Sequence, residues 1–136
     1  MTEFAERGSR NTGDLGRTTI ADGVVAKIAF LAAGEVEGVH ALGSGLSRSV
    51  GALRERVPGG GTATHGVKVE VGEKQSAVDL DIVVEYGEVI PEVGRAVREN
   101  VIASVERMTG LEVVEVNIAV SDVRLPDEEE EPERVR

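Results

Sequence analysis

Two stretches in the second half of the chain alternate between apolar and polar residues, which is the pattern of half-buried β-strands. In the first, residues 67–71, three valines alternate with Lys68 and Glu70. Residues 72–75 predict a hairpin connection, after which the alternation resumes over residues 78–86. The apolar positions of this second strand are Val78, Leu80, Ile82, Val84 and Tyr86. Because alternate side chains share one side of a sheet, each strand has one face suited to a core.

The opposite face of the second strand is largely acidic. Asp79, Asp81 and Glu85 share it, and residues two apart along a strand are separated by about 6.6–6.8 Å. That separation suits a pair of acid/base carboxylates or ligands of a hard cation. A metal site, however, needs ligands from several segments, so a solvated polar face is the preferred interpretation.

A helix is predicted next, and it is the principal core element. Pro91 suits the first turn of a helix, and Gly110 suits its C-terminal end. Between them apolar residues recur every three or four positions: Val93, Val97, Val101, Val105 and Met108, with Ile90 and Ile102 beside them. After Gly110, Val114, Val116, Ile118 and Val120 alternate with Glu115, Asn117 and Ala119. This predicts a third strand that ends near Val123.

The first ordered element is predicted to be a helix that begins at Thr19. Thr19 and Asp22 have the spacing of a capping box, in which each side chain bonds a free backbone amide. An apolar stripe follows at helical spacing: Ile20, Val24, Ile28 and Leu31, widened by Ala21, Val25, Ala29 and Ala32. Gly38 is expected to end the helix in the left-handed conformation. Residues 39–42 then predict a short extended segment.

These elements predict an α+β protein with a single domain over residues 18–124. Its order is an N-terminal helix followed by strand, strand, helix and strand, with the helices packed on one face of a small mixed sheet. A strand–helix–strand connection is normally a right-handed crossover, which places the third strand parallel to the second. Residues 1–17 predict a disordered arm and 125–136 a disordered acidic tail. Residues 43–65 predict a flexible glycine-rich loop, compatible with a short helix.

The composition of the chain disfavours nucleic-acid binding and direct insertion into a membrane. Only Phe4, Phe30 and Tyr86 could stack on bases, and a net charge of −10 disfavours phosphate backbones and anionic lipid. No apolar run approaches the ~18–20 residues of a membrane-spanning helix, and the N-terminus lacks the apolar centre of a signal peptide. We therefore expect a soluble protein that binds no nucleic acid and does not insert directly into a membrane.

No combination of residues indicates catalysis. Cysteine is absent, which excludes disulfides and thiolate chemistry. His40 and His65 lie beside glycine-rich segments and outside any zinc or triad motif, so both are interpreted as loop histidines. The glycine run 59–61 precedes a strand, whereas a phosphate cradle needs a helix N-terminus. We predict no catalytic residue, no cofactor and no metal site.

Arg48, Arg54 and Arg56 make the glycine-rich loop basic within an acidic protein. The simplest interpretation is that these arginines are solvated side chains of an exposed loop. The alternative is that they dock on an acidic surface of a neighbouring subunit or partner, because such complementarity steers association. Together with Asp79, Asp81 and Glu85, these arginines form the candidate interaction surface.

Several short blocks of the sequence stand out within residues 19–123, namely 28–29, 32–39, 66–71, 78–87, 100–101, 105–111 and 116–117. In composition and order they resemble the alkaline shock protein family, the envelope stress response proteins of Gram-positive bacteria. The resemblance implies a non-enzymatic, abundant cytoplasmic protein. Some members self-assemble, and some are held beneath the membrane by a separate integral membrane protein.

We therefore expect a structural or interaction protein of the envelope stress response. It is expected to form a homo-oligomer and to have an integral membrane protein as its anchor. Its expected location is the cytoplasm, including the inner face of the membrane where that partner holds it. The alternative is a small-ligand or metal-binding regulatory module that uses the acidic face of the sheet.

Overall fold

The computed structural model describes residues 15–43 and 66–127. In these ranges the elements are α1 (Asp22–Gly34), β1 (Val39–Leu42), β2 (Val67–Val71), β3 (Gln75–Glu85), α2 (Ile90–Thr109) and β4 (Glu112–Arg124). The predicted α+β class and element order are confirmed, and residues 39–42 join the sheet as a further strand. The predicted arm, loop and tail lie wholly or mainly outside the described residues, as do His65, Arg48, Arg54 and Arg56.

The central strand of the sheet is β3. β4 pairs with one of its edges in parallel, from Gln75 opposite Glu112 to Glu85 opposite Arg124. β2 and β1 pair with the other edge, both antiparallel to β3. The sheet is therefore mixed, and the parallel placement of the last strand through the helical crossover is confirmed.

β1 and β2 follow one another along the same edge and meet opposite Asp81. The Gly43 N–H donates to the Asp81 carbonyl at 2.6 Å, and the Asp81 N–H donates to the Gly66 carbonyl at 2.9 Å. A Cβ added to Gly66 would lie 2.5 Å from the backbone nitrogen of Gly43. Gly43 and Gly66 therefore lie at adjacent positions of the same sheet edge, although 22 residues separate them in the chain.

Both helices pack on one face of the sheet and enclose an aliphatic core. The predicted valines of α2 are buried, namely Val93, Val97, Val101 and Val105. They join buried residues from the strands, namely Val67, Val69, Val78, Leu80, Ile82, Val84, Val113 and Val116. Burial of one such side chain contributes about 1.5–3 kcal/mol. This shared core fixes which side of each strand faces the helices.

α1 differs from its prediction in its start, its buried face and its end. It begins at Asp22 rather than Thr19, and no side chain caps its N-terminus. Its buried positions are Val25, Ala26, Ile28, Ala29, Ala32 and Ala33, whereas Val24 and Leu31 are exposed. The alanine-rich side faces inward because its small side chains allow a close approach to the sheet and α2. The helix ends at Gly34, and the left-handed Gly38 ends the turn that follows.

Besides Val24 and Leu31, four large residues assigned to the core by periodicity are exposed, and one of them is Ile90 in the first turn of α2. Tyr86 lies in the turn after β3, and Met108 lies in the last turn of α2. Val114 is the extra residue of a β-bulge, since Ser76 pairs with Val113 while Ala77 pairs with Glu115. A bulge restarts the alternation of a strand, so Val113 rather than Val114 reaches the core.

Candidate interaction surfaces

The cross-strand register shows which side chains lie on the sheet face opposite the helices. Asp79, Asp81 and Glu85 lie on it, as predicted, because buried residues occupy the alternate positions of β3. Directly paired residues share a face, which adds residues of β2 and β4: Lys68, Glu70, Glu112, Glu115, Asn117, Asp122 and Arg124. We call these residues together the acidic sheet face. Only Lys68 and Arg124 among them are basic.

Two carboxylates of this face are held by a shared amide. Asn117 Nδ2 donates to Asp79 Oδ1 at 3.0 Å and to Glu115 Oε2 at 2.7 Å. Because the amide nitrogen has two hydrogens, it can satisfy both acceptors at once. The border between β3 and β4 therefore presents its negative charge in a defined arrangement.

A histidine binds the third predicted carboxylate. His40 Nδ1 lies 3.0 Å from Glu85 Oε2, and a bulge in β1 at His40 interrupts its pairing with β3. The interpretation of His40 as a loop histidine is therefore wrong, because it belongs to β1 and contacts the acidic sheet face. Its partner is 45 residues away in the chain, so the neighbouring residues carried no signal of the contact.

The acidic side chains are spread along the strands rather than gathered at one point. Across residues 15–43 and 66–127, no three His, Asp or Glu side chains come together to hold a metal ion. An open cavity of about 790 Å³ is lined by segments 17–20, 71–74 and 109–111, with Arg17 and Lys74 among its residues. None of its lining residues belongs to the acidic sheet face.

The outward side of α1 is a second candidate surface. Val24 is 46% exposed and Leu31 is 64% exposed, with Lys27 between them and Glu35 one turn beyond Leu31. We call these four residues the outer α1 face. Only Asp22 and Lys27 are charged among the 13 residues of α1. That scarcity of charge was the sequence signal that apolar residues would remain on the outward side.

The outer edge of β4 is partly occupied by α2. Glu106 Oε2 accepts from the Val113 N–H at 3.0 Å, and Arg98 Nε donates to the Val116 carbonyl at 3.2 Å. Within the described ranges β4 pairs only with β3. Side-chain bonds and bulges of this kind make an edge a poorer template for another strand. Periodicity did not reveal these contacts, because they join different elements.

The family model of the alkaline shock proteins, described as having a "cell envelope-related function", matches residues 10–125. The chain belongs to the alkaline shock protein family. The resemblance read from the short sequence blocks is thereby confirmed. The match includes the acidic sheet face, the outer α1 face and both helices.

Two named relatives share this domain. The "Stress response regulator gls24 homolog" of Streptococcus pyogenes is 38% identical over 113 residues, which cover 83% of this chain and 62% of the relative. The "Uncharacterized protein YqhY" of Bacillus subtilis is 32% identical over 119 residues, covering 86% of this chain and 84% of the relative. No solved structure matches the chain. Neither helix of the described alkaline shock domain has the length and apolar content to cross a membrane.

Proposed function

We propose that this chain is a non-enzymatic structural and interaction protein of the bacterial envelope stress response. It self-associates and is held near the membrane by a partner protein. The cell envelope-related description of its family and the stress response named for the Streptococcus pyogenes relative support this function. The observation that carries it is the acidic sheet face, which neither α1 nor α2 covers.

The physical properties of this face suit contact with a basic surface. It extends over the long strands β3 and β4, which pair from one end of β3 to the other with two bulges on the way. Asp79 and Glu115 are held by Asn117, and Glu85 is bound to His40. Ordered charge favours recognition because little side-chain freedom is lost on binding. Charge complementarity then steers the encounter and sets its orientation.

The chain itself carries a basic segment that fits this requirement. Arg48, Arg54 and Arg56 lie in the stretch between β1 and β2, and in our proposal they bind the acidic sheet face of a neighbouring copy. Contacts between unlike surfaces are heterologous and can continue from one copy to the next. Self-association of this kind produces assemblies larger than a dimer.

Reversal of two of these charges tests the proposal. The variant Arg54→Glu/Arg56→Glu is expected to lower the molar mass measured by light scattering, at a concentration where the wild type assembles. Arg95→Glu/Arg107→Glu on the exposed side of α2 is the matched control, because it changes the net charge equally. Assembly that is unchanged in the first variant would contradict docking of the basic segment.

The membrane partner is tested in cells. Chemical crosslinking followed by purification from the membrane fraction is expected to recover the chain joined to an integral membrane protein. Recovery of a strict monomer at high concentration, with no such partner in the membrane fraction, would contradict the proposed function as a whole.

A further inference from the structure

The outer α1 face has an apolar centre between two opposite charges. Lys27, Leu31 and Glu35 are spaced by four residues, so they form one row along the helix surface. Glu35 keeps helical backbone angles, with φ −76° and ψ −15°, and therefore continues this row. All three side chains are exposed.

The two charges are weakly engaged within the described part of the chain. There, Lys27 makes no ion pair, and Glu35 accepts one hydrogen bond, from Asn100 Nδ2 at 3.3 Å. The same Asn100 amide donates to the Ala32 carbonyl at 2.7 Å, so it keeps its shorter bond without Glu35. As far as the described residues are concerned, both charges are therefore available to a second molecule.

This row is complementary to itself in the antiparallel sense. A two-fold axis through Leu31 places Lys27 of one copy opposite Glu35 of the other, and the reverse pair forms on the other side of the axis. Each pair would lie about 6 Å from Leu31 along the helix, because four residues rise by that distance. Leu31 would meet its own copy at the centre.

Resting on the self-association proposed above, we infer that α1 of one copy packs antiparallel on α1 of a second copy. The contact is isologous, since the same residues meet on both sides of the axis. Exposed apolar residues at its centre lose contact with water, and the Lys27–Glu35 pairs set the orientation of the helices.

The surroundings of Leu31 support a protein occupant. The outer α1 face continues into an open groove of about 520 Å³ between α1 and β1, lined mainly by apolar atoms. Phe30, Ala41 and Leu42 are among its lining residues. A contiguous apolar patch bordered by charges is typical of an interaction site. Self-complementary charges make a second copy the occupant that fits.

Single charge reversals provide the central test, with sedimentation equilibrium of the full chain as the measurement. In a dimer of Lys27→Glu, both contacts between positions 27 and 35 become pairs of negative charges. In a dimer of Glu35→Lys, both become pairs of positive charges. Each variant is expected to raise the dimer dissociation constant about tenfold. The increase is no larger because each exposed ion pair contributes little binding energy. The matched controls Arg95→Glu and Glu99→Lys, on the exposed side of α2, are expected to leave it unchanged.

Combining the two charge reversals, in a mixture or in one chain, distinguishes this contact from other interfaces. In an equimolar mixture of Lys27→Glu and Glu35→Lys, the mixed dimer regains both attractive pairs, because the two acidic residues of one copy lie opposite the two lysines of the other. The double variant Lys27→Glu/Glu35→Lys regains both attractive pairs in its own dimer, with their signs exchanged. The double variant is therefore expected to return to the wild-type dissociation constant. Failure of the double variant to recover would overturn the antiparallel contact.

Substitution of the apolar centre completes the test. Leu31→Asp is expected to raise the dissociation constant more than tenfold, because two leucines lose their buried contact. Its melting temperature is expected to stay near that of the wild type, since Leu31 is largely exposed in one chain. A lower melting temperature with unchanged association would instead show that the chain covers this face itself, for example with residues 44–65.

The outcomes also distinguish this inference from the proposed function. A wild type that self-associates while every α1 variant behaves like it would overturn only the α1 contact. A wild type that stays monomeric at all concentrations would overturn both.

Discussion

At the scale of single residues, Gly66 is the position at which the chain rejoins the edge of the sheet beside Gly43. Its φ of +87° is in the left-handed region, and an added Cβ would clash with the backbone of Gly43. Glycine has no Cβ and adopts this conformation without strain. The position therefore requires glycine for two independent reasons.

Substitution of Gly66 by alanine is expected to lower the free energy of unfolding by about 2 kcal/mol or more. Gly72→Ala is the matched control, because its Cβ would lie 3.6 Å from the Gln75 carbonyl oxygen, an ordinary contact. The control is expected to change stability by less than about 0.5 kcal/mol. Urea unfolding followed by far-UV circular dichroism suits a chain without tryptophan. Equal losses in the two variants would contradict the close approach of Gly43 and Gly66.

Asn117 and His40 show how single side chains shape the acidic sheet face. Both bind carboxylates that the alternation had already placed outward. Their hydrogen bonds restrict the positions of these carboxylates. The face as a whole remains acidic. Whether that face contacts a basic surface stays a prediction, tested by the charge reversals described above.

At the scale of elements, α2 has two tasks. Its valine face fills the core, while Arg98 and Glu106 bind backbone groups of β4. An edge strand that is free on one side can pair with another chain and promote aggregation. The helix that supports the sheet thus also protects its edge.

Removal of both edge contacts tests this second task. Arg98→Ala/Glu106→Ala is expected to lower the free energy of unfolding by about 1 kcal/mol for each lost bond. It is also expected to increase the rate of turbidity on incubation at moderate temperature. Glu99→Ala/Arg107→Ala removes the same types of charge from exposed positions of α2 and serves as the control. If both variants become turbid at the same rate, the two contacts do not protect the edge.

At the scale of the whole molecule, the domain is a two-layer structure whose surfaces differ in character. The sheet face is acidic, and the outward side of α1 is apolar at its centre. The two surfaces suit different contacts, one heterologous with a basic segment and one isologous between copies of α1. Used together, they would join proposed dimers into longer assemblies.

Residues 44–65 connect Gly43 to Gly66, which both bond to Asp81 at the same edge of the sheet. Because their ends lie beside each other at Gly43 and Gly66, a short glycine linker in their place is expected to leave the fold intact. The measurement is the far-UV circular dichroism spectrum together with the melting temperature, compared with those of the full chain. Loss of the cooperative transition would mean that these residues are part of the core.

The sequence by itself determined the fold class, the five main elements and their order. It also identified the acidic side of β3 and the valine face of α2. Each of these depends on periodicity within one element, because alternate or every third and fourth side chains must share a face. The family resemblance could likewise be read from short blocks of neighbouring residues.

Only the tertiary structure decided which side of α1 faces outward, where β4 bulges, and which groups meet across the sheet. Val24 and Leu31 fit an apolar stripe, yet the alanine side packs inward because it approaches α2 and the sheet more closely. His40 with Glu85, Asn117 with Asp79, and Gly43 with Gly66 are contacts between distant parts of the chain. Local patterns do not encode such contacts, since they depend on how the elements pack together.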